Sequence, residues 1–371
     1  MRIYLRGLAT SWRLFGPSRN FVFFVFVILA FMILRILSSF FLFLDYIFFP
    51  RFQKVEVKRP VFIIGHPRSG TTFVHHLFTG TDEMAAFKAW HILCPSLTAR
   101  KLIRPLIRYL ASKGLTVLVP EETGHKIDLD QVEEEEMLFL HIHDTQFVII
   151  ATPLGFDDDD YREIRFHDLQ PRRRRIKSAM FLKSCFQRHI YYTKKTQIFA
   201  QTHFSTHRIK TLLEVFPDAR FIYLHRRPDE TLPSFFSLNY YTLDALWGLH
   251  RFTSEQILRY YRYQYEASLD LYRYFYSLWH TNGIDKNKVL IIPYEKLRED
   301  LPAVFENIID FTGIEPGDRL RRAVKEQAKK QRGYRRRHNV KALEDFGIDE
   351  KSIKRDFSFM FEKDPFSIRQ A

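Results

Sequence analysis

Apolar positions follow two rhythms along this chain. From Phe21 to Phe49 the sequence is almost wholly apolar, broken only by Arg35, Ser38, Ser39 and Asp45. That length exceeds the ~20 residues a helix needs to cross a bilayer, so the run reads as a membrane-associated helix. Arg35 near its middle costs about 2.5–3.5 kcal/mol on insertion unless it snorkels or pairs. Asp45 stands too far along the helix to pair with it. A helix lying in the membrane surface, or an uneven hairpin, therefore rivals a straight span. Basic residues flank both ends, Arg2 to Arg19 before and Arg51 to Arg59 after, so charge leaves the orientation open. No small-residue cleavage site follows, which argues against a cleaved signal peptide.

Beyond Pro60 the apolar runs are short. Val61–Ile64, a stretch near Gln197–Gln201, Phe221–Leu224 and the run after Lys288 read as buried strands, and Asp82–Trp90 as the lead into another. Helical spacing fills the intervals: Phe73–Phe78, a basic stretch over 96–118 broken at Pro105, a face of Ile209, Leu212, Leu213 and Phe216, and Ala303–Phe311. Thr253 with Gln256 forms a capping box opening a long helix to His280. In Leu129–His143, Leu129, Val132, Leu138 and Phe139 can share a stripe, so Glu133 to Glu136 must point in different directions. Most of these glutamates are expected in solvent, with one or two turned into a cleft. Strands alternating with helices predict an α/β fold. Residues 1–20 form a basic segment, 21–49 the membrane-associated helix, and 60–371 the α/β domain.

Charge narrows the partners. Across 371 residues the formal net charge is +14, which suits nucleotide phosphates and acidic lipid headgroups. Nucleic acid is not expected, because Lys and Arg are scattered and no nucleic-acid-binding signature appears. Cys94 and Cys185 are the only cysteines, with no partners at metal spacing, so no metal and no disulfide framework are expected and a reducing compartment is favoured. Asp157–Asp160 and Arg172–Arg175 are opposite charge blocks, expected on an exposed excursion with weak mutual attraction.

The stretch Pro60–Val74 carries the chemistry. A buried strand runs into Gly65-His66-Pro67-Arg68-Ser69-Gly70-Thr71-Thr72 and then a helix. Gly65 and Gly70 let the chain fold closely round a ligand. The unpaired N–H groups at the helix start suit a phosphate, while Arg68 adds forked cationic donors and Ser69, Thr71 and Thr72 add hydroxyls. A nucleotide P-loop keeps the same glycine spacing, but Thr71 stands where its lysine belongs, which disfavours magnesium-assisted phosphate chemistry.

Pro67-Arg68-Ser69-Gly70-Thr71-Thr72 resembles the 5′-phosphosulfate loop of the sulfotransferases, which take a sulfonate from 3′-phosphoadenosine 5′-phosphosulfate (PAPS). A second stretch, Phe216 to Pro228, runs through a buried strand to Arg226-Arg227-Pro228, with Ser234 eight positions after Arg226. It resembles the 3′-phosphate site of that family. The resemblance covers about residues 60–365 and implies a three-layer α/β sandwich round a central parallel sheet, close to nucleotide kinases. It implies that Arg68, Ser69, Gly70, Thr71, Thr72, Arg226 and Ser234 hold PAPS. Arg332 and Gly333, in a basic C-terminal stretch, are further 3′-phosphate candidates. The glutamate run resembles an acidic segment of the membrane-associated, bacterial-type branch, making Glu134 and Glu136 candidates for the general base. His91 is a competing base, as are His141 and His143. Where relatives often have Lys-Asn-Pro-x-Asn-Thr-x-Arg-Ile, this chain has Gln201 in place of the lysine and keeps Thr206, Arg208 and Ile209.

The expected reaction is sulfonate transfer from PAPS to a hydroxyl or amine of a small-molecule, lipid or glycan acceptor, without metal, on the cytoplasmic side of a membrane. Two rivals stand beside it: a divergent P-loop kinase, and a membrane-bound nucleotide-binding protein without catalysis, which Gln201 would suit.

Overall fold

Strand β1 (Val61–Ile64) lies inside a four-stranded parallel sheet. A small antiparallel pair, β2 (Val117–Val119) and β3 (Ile127–Asp128), stands apart from it. The sheet is completed by β4 (Phe199–Gln201), β5 (Arg220–His225) and β6 (Val289–Pro293), in the order β4-β1-β5-β6. The computed structural model describes residues 2–119, 127–159, 161–331 and 340–367; Arg332 and Gly333 lie outside the described residues.

Strand register decides where the chemistry gathers. Ile63 pairs with Gln201 on one side and Ile222 on the other, so the carboxyl ends of β1, β4 and β5 finish together. Alternation then builds the layers. Val61, Ile63, Ile222 and Leu224 pack with Phe78 and Phe305 on one face, while Phe62, Ile64, Phe221 and Tyr223 pack with Leu182, Phe186 and Phe275 on the other. Both faces are covered, as a parallel sheet requires, and the architecture is the expected three-layer α/β sandwich.

The helices, in chain order, are α1 (Arg2–Phe15), α2 (Arg19–Phe48), α3 (Thr71–Thr79), the single turn α4 (Ala89–Leu93) and α5 (Leu97–Ser112). After the short α6 (Phe147–Ile150) and α7 (Arg162–Arg165) come α8 (Arg172–Thr193), α9 (Ile209–Val215), α10 (Pro228–Trp247) and α11 (Ser254–His280). The capping box at Thr253 forms as expected: Thr253 Oγ1 accepts from the Gln256 N–H at 3.2 Å, and Gln256 Oε1 from the Thr253 N–H at 2.9 Å.

The structure departs from the sequence reading in four places here. Residues 82–90 form no strand; a lone bridge of Lys88 with Val132 precedes α4. Pro105 does not break α5, because Lys101 and Pro105 are both exposed and the carbonyl deprived of its donor lies on the water side. Among the described residues the two charge blocks do not meet. Asp157, Asp158 and Asp159 instead bind Arg13, Arg6 and Arg259, and Arg172 and Arg175 reach Glu214.

The fourth departure concerns α2. Its two charged interruptions are both partnered by the domain. Arg35 Nη1 lies 2.8 Å from His143 Nδ1. Asp45 is fully buried, pairs with Arg188 Nε at 2.7 Å, and accepts from the Leu97 and Thr98 N–H groups at 3.0 and 2.8 Å. One carboxylate thus caps α5 and anchors α8, where its negative charge complements the first turn of α5.

Candidate functional site

The loop after β1 is shaped by three residues with positive φ. Gly65 has φ +129°, and a Cβ there would stand 2.4 Å from the Leu224 carbonyl oxygen of β5, so no side chain fits. Gly70 (φ +95°) begins α3 in the left-handed region without a side-chain cap, leaving the first N–H groups of the helix to a ligand. Arg68 adopts φ +73°, an uncommon conformation for a side-chain-bearing residue and one that clusters at ligand-gripping turns.

The chain end of β5 meets this loop. Arg226 Nη1 donates to the Arg68 carbonyl oxygen at 3.1 Å, and Arg68 Nε donates to Ser234 Oγ on α10 at 3.1 Å. Arg226 also pairs with Glu230 at 2.8 Å and stacks 4.0 Å over the ring of Tyr294. Two arginines 158 positions apart in sequence are therefore neighbours. Beneath them His66 is fully buried, its ring stacked on Tyr272, and burial lowers its pKa to about 3, so it is neutral. Ser69 is buried under the loop, while Thr71 is buried and Thr72 exposed at the start of α3.

Gln201, at the end of β4, fills the space beside the loop. Its Nε2 lies 3.0 Å from Thr72 Oγ1 and 3.1 Å from Glu134 Oε2. His203 Nδ1 also approaches Glu134 Oε2, at 3.1 Å. An ionised Glu134 would favour the tautomer with the proton on Nδ1, which presents the Nε2 lone pair.

The glutamate run is not solvated as expected. Glu133 to Glu136 are all buried. Glu135 accepts from the Gln201 N–H at 2.8 Å and the Phe87 N–H at 3.3 Å, stapling β4 to the chain before α4. Glu136 Oε2 accepts from Ser205 Oγ at 2.7 Å. Main-chain donors meet both oxygens of Glu135 and a hydroxyl meets one oxygen of Glu136, which is how buried carboxylates persist.

A cavity of about 1160 Å³ adjoins these groups. Arg68, Gly70, Thr71, Thr72, Arg226 and Glu134 line it, together with Gln201, His203 and Tyr294. Ser234 reaches it through Arg68. Glu136 and His91 do not line it. His91 is buried elsewhere, accepting from the Lys88 N–H at 3.1 Å and packed against His189; burial, with Arg100 nearby, pushes its pKa well down. Of the candidate bases His91, Glu134 and Glu136, the structure thus sets Glu134 alone in the cavity wall.

Much of the remaining lining is apolar, and part of it comes from helices the sequence did not connect with the site. Ile3 and Tyr4 of α1, Phe24 and Ile28 of α2, and Leu238 and Trp247 of α10 all contribute. His203 was also missed as a site residue, although it stands two positions after Gln201 in the stretch compared with the family.

The chain belongs to the sulfotransferase family, which residues 60–318 match. Over 185 residues it is 26% identical to omega-hydroxy-beta-dihydromenaquinone-9 sulfotransferase Stf3 of Mycobacterium bovis, and equally to that of Mycobacterium tuberculosis. That match spans 49% of this chain and 45% of the relative, so the chain covers about half the length of these curated relatives. In fold it is similar to sulfotransferase STF1 from Mycobacterium tuberculosis H37Rv, with TM-score 0.68 and 16% identity over 96% of this chain and 91% of the other. Sulfotransferase STF9 from Mycobacterium avium is comparable, with TM-score 0.66 and 16% identity over 88% and 81%. At such identity these likenesses speak for the fold.

Proposed function

We propose that the protein transfers a sulfonate from PAPS to the hydroxyl of a membrane lipid. The observation that carries this reading is the joining of Arg68 and Arg226 on one cavity, through the Arg226 bond to the Arg68 carbonyl. Two phosphate-binding cations side by side, each at the carboxyl end of a strand, suit one ligand phosphorylated at both ends. When bound, PAPS supplies a sulfonate whose leaving group is a nucleotide phosphate. The uncapped start of α3, Arg68 and the hydroxyls of Thr71 and Thr72 would hold the 5′ end and stabilise charge on the bridging oxygen. Arg226, steadied by Glu230, would hold the 3′-phosphate.

As the acceptor oxygen bonds to sulfur and the bond to the bridging oxygen breaks, the acceptor proton needs a base. Glu134 with His203 is the pair at hand in the cavity. Gln201 is neutral where relatives often place a lysine, so the loop cations carry the charge balance. The cavity exceeds the usual volume of a single small-molecule site, roughly 300–1,000 Å³, and leaves room for an acceptor beside a nucleotide. Its aliphatic and aromatic lining favours a lipid over a glycan. The related Stf3 enzymes, named for a hydroxylated menaquinone, support the same class. In this reading residues 60–371 are the catalytic domain and 21–49 a membrane-associated helix.

The test is transfer of labelled sulfate from PAPS into a lipid extract. Wild-type protein should label a lipid species and Arg68→Ala should not. Calorimetric PAPS binding without transfer to any acceptor would instead favour a nucleotide-binding protein, the reading that Gln201 suggests.

A further inference from the structure

We propose that the protein enters a membrane without crossing it. Helix α2 lies in the plane of one leaflet beside the outer stripe of α5, and the cavity opens sideways into that leaflet. In naming a lipid as what passes through the opening, this rests on the acceptor reading above; the docking geometry stands on separate observations.

The first is how α2 is fastened. Its domain-facing side is held along nearly its whole length. Phe24 packs on Trp247 with ring centroids 5.5 Å apart, Arg35 meets His143 at 2.8 Å, the Phe41 carbonyl accepts from Ser96 Oγ at 3.0 Å, and Asp45 is buried on Arg188. A helix of 30 residues is about 45 Å long, longer than the ~30 Å hydrocarbon core. Standing upright, it would drag the charged groups fastened near its start through lipid. Arg251, which binds Asn20, is one; so are Asp157, Asp158 and Arg259, tied together and to α1. Charges in hydrocarbon are too costly for that placement.

The second is the side α2 shows to its surroundings. Phe26, Leu29, Ile33, Ile36, Phe40 and Phe43 recur at intervals of three and four and are 47–65% exposed. One stripe of the helix, uninterrupted by charge, thus faces away from the protein. A helix apolar on both its packed and its outer side belongs in an apolar medium.

The third is the neighbouring α5. Leu102, Leu106 and Tyr109 form a second exposed stripe, 52–66% exposed. Exposed Lys101, Arg104 and Arg108 run beside it. Apolar side chains edged by cations match the boundary between acyl chains and acidic headgroups. Finally, Phe23, Phe31 and Leu246 are at once exposed and part of the cavity lining, so the chamber reaches the surface next to the α2 stripe.

The test uses the full-length chain in sealed membrane vesicles from expressing cells. Arg19→Cys and Lys54→Cys place thiols at the two ends of α2, and a membrane-impermeant maleimide reports their side. Both should react from the same side; reaction from opposite sides would show a span and overturn the proposal. In a second arm, Ile36→Glu with Phe40→Glu should weaken flotation with phosphatidylcholine–phosphatidylglycerol vesicles by roughly tenfold or more. Calorimetric binding of adenosine 3′,5′-bisphosphate should be unchanged, which also reports folding. If the parent protein ignores vesicles and scatters light as a dimer that this variant splits, the stripe serves a second copy and the proposal fails. Same-side labelling and vesicle binding without sulfate transfer to any lipid would refute the acceptor reading and leave the docking intact.

Discussion

Replacing Arg226 by methionine tests the two-ended grip most sharply. The guanidinium does two jobs that its loss would confuse. It donates to the Arg68 carbonyl at 3.1 Å, shaping the loop, and it would grip the 3′-phosphate. A bond to a neutral carbonyl contributes about 1 kcal/mol, whereas bonds to a charged phosphate contribute about 1.5–3 kcal/mol each. Loosening the loop should weaken any adenosine 5′-phosphate by about fivefold. Losing the phosphate grip should weaken only ligands that carry a 3′-phosphate, by roughly a further hundredfold at about 3 kcal/mol. Titration calorimetry of wild type and Arg226→Met, each with adenosine 3′,5′-bisphosphate and adenosine 5′-monophosphate, closes a cycle in which the ligand's phosphate is the second deletion. The preference of wild type for the bisphosphate should collapse in the variant. An unchanged preference would mean that Arg226 does not see the 3′-phosphate, and the two-ended reading would fall with it.

Other expectations follow from the same geometry. Glu134→Gln should lower kcat by roughly a hundredfold or more with little change in bisphosphate affinity, and His203→Ala should move the acid limb of the pH–rate profile; undiminished turnover in both would remove this pair as the base. Asp45→Asn leaves Arg188 buried without a counter-ion, and urea unfolding should show a loss of about 3–5 kcal/mol; a loss within error would deny Asp45 its anchoring role. Burial lowers the pKa of both His66 and His207 to about 3, with Arg165 adding to the effect at His207. The unfolded chain therefore takes up these protons first. Stability should hold above about pH 6.5 and fall as pH drops towards 3, by about 2 kcal/mol per histidine at pH 5; a melting temperature flat between pH 7 and 5 would contradict this.

What the sequence disclosed was local. The loop from Gly65 to Thr72 is one contiguous piece, and the strand ending at Arg226 announces itself by a buried run stopped by charge. Parallel register then brought the two together, which the family resemblance implied and β1–β5 pairing explains. The glutamates misled because a charge run normally faces water. Here Glu135 serves N–H groups of Gln201 and Phe87, partners 66 and 48 positions away that no periodicity reveals. Asp45 escaped for the same reason: its cation, Arg188, is 143 positions distant. His91 stood among the candidate bases, yet it is buried, accepts from the Lys88 N–H and packs on His189, partners that no sequence pattern announces. The apolar half of the chamber was illegible because α1 read as a basic segment and α2 as a membrane-associated helix.

Helix α1 forms part of the chamber wall, yet several of its polar fastenings lie in water. Arg6 with Asp159, and Arg13 with Asp158, are between 36% and 62% exposed. Such pairs contribute at most about 1 kcal/mol and fade as the Debye length shrinks to about 3 Å in molar salt. Were a guest to pass this wall, added salt should ease its passage by weakening those pairs, while the packing of Phe15 on Trp247 and Phe252 would stay in place. If, as proposed, the product is a lipid and its release limits turnover, the rate should quicken as salt is added, opposite in sign to the weakening that salt would impose on a nucleotide held by arginines.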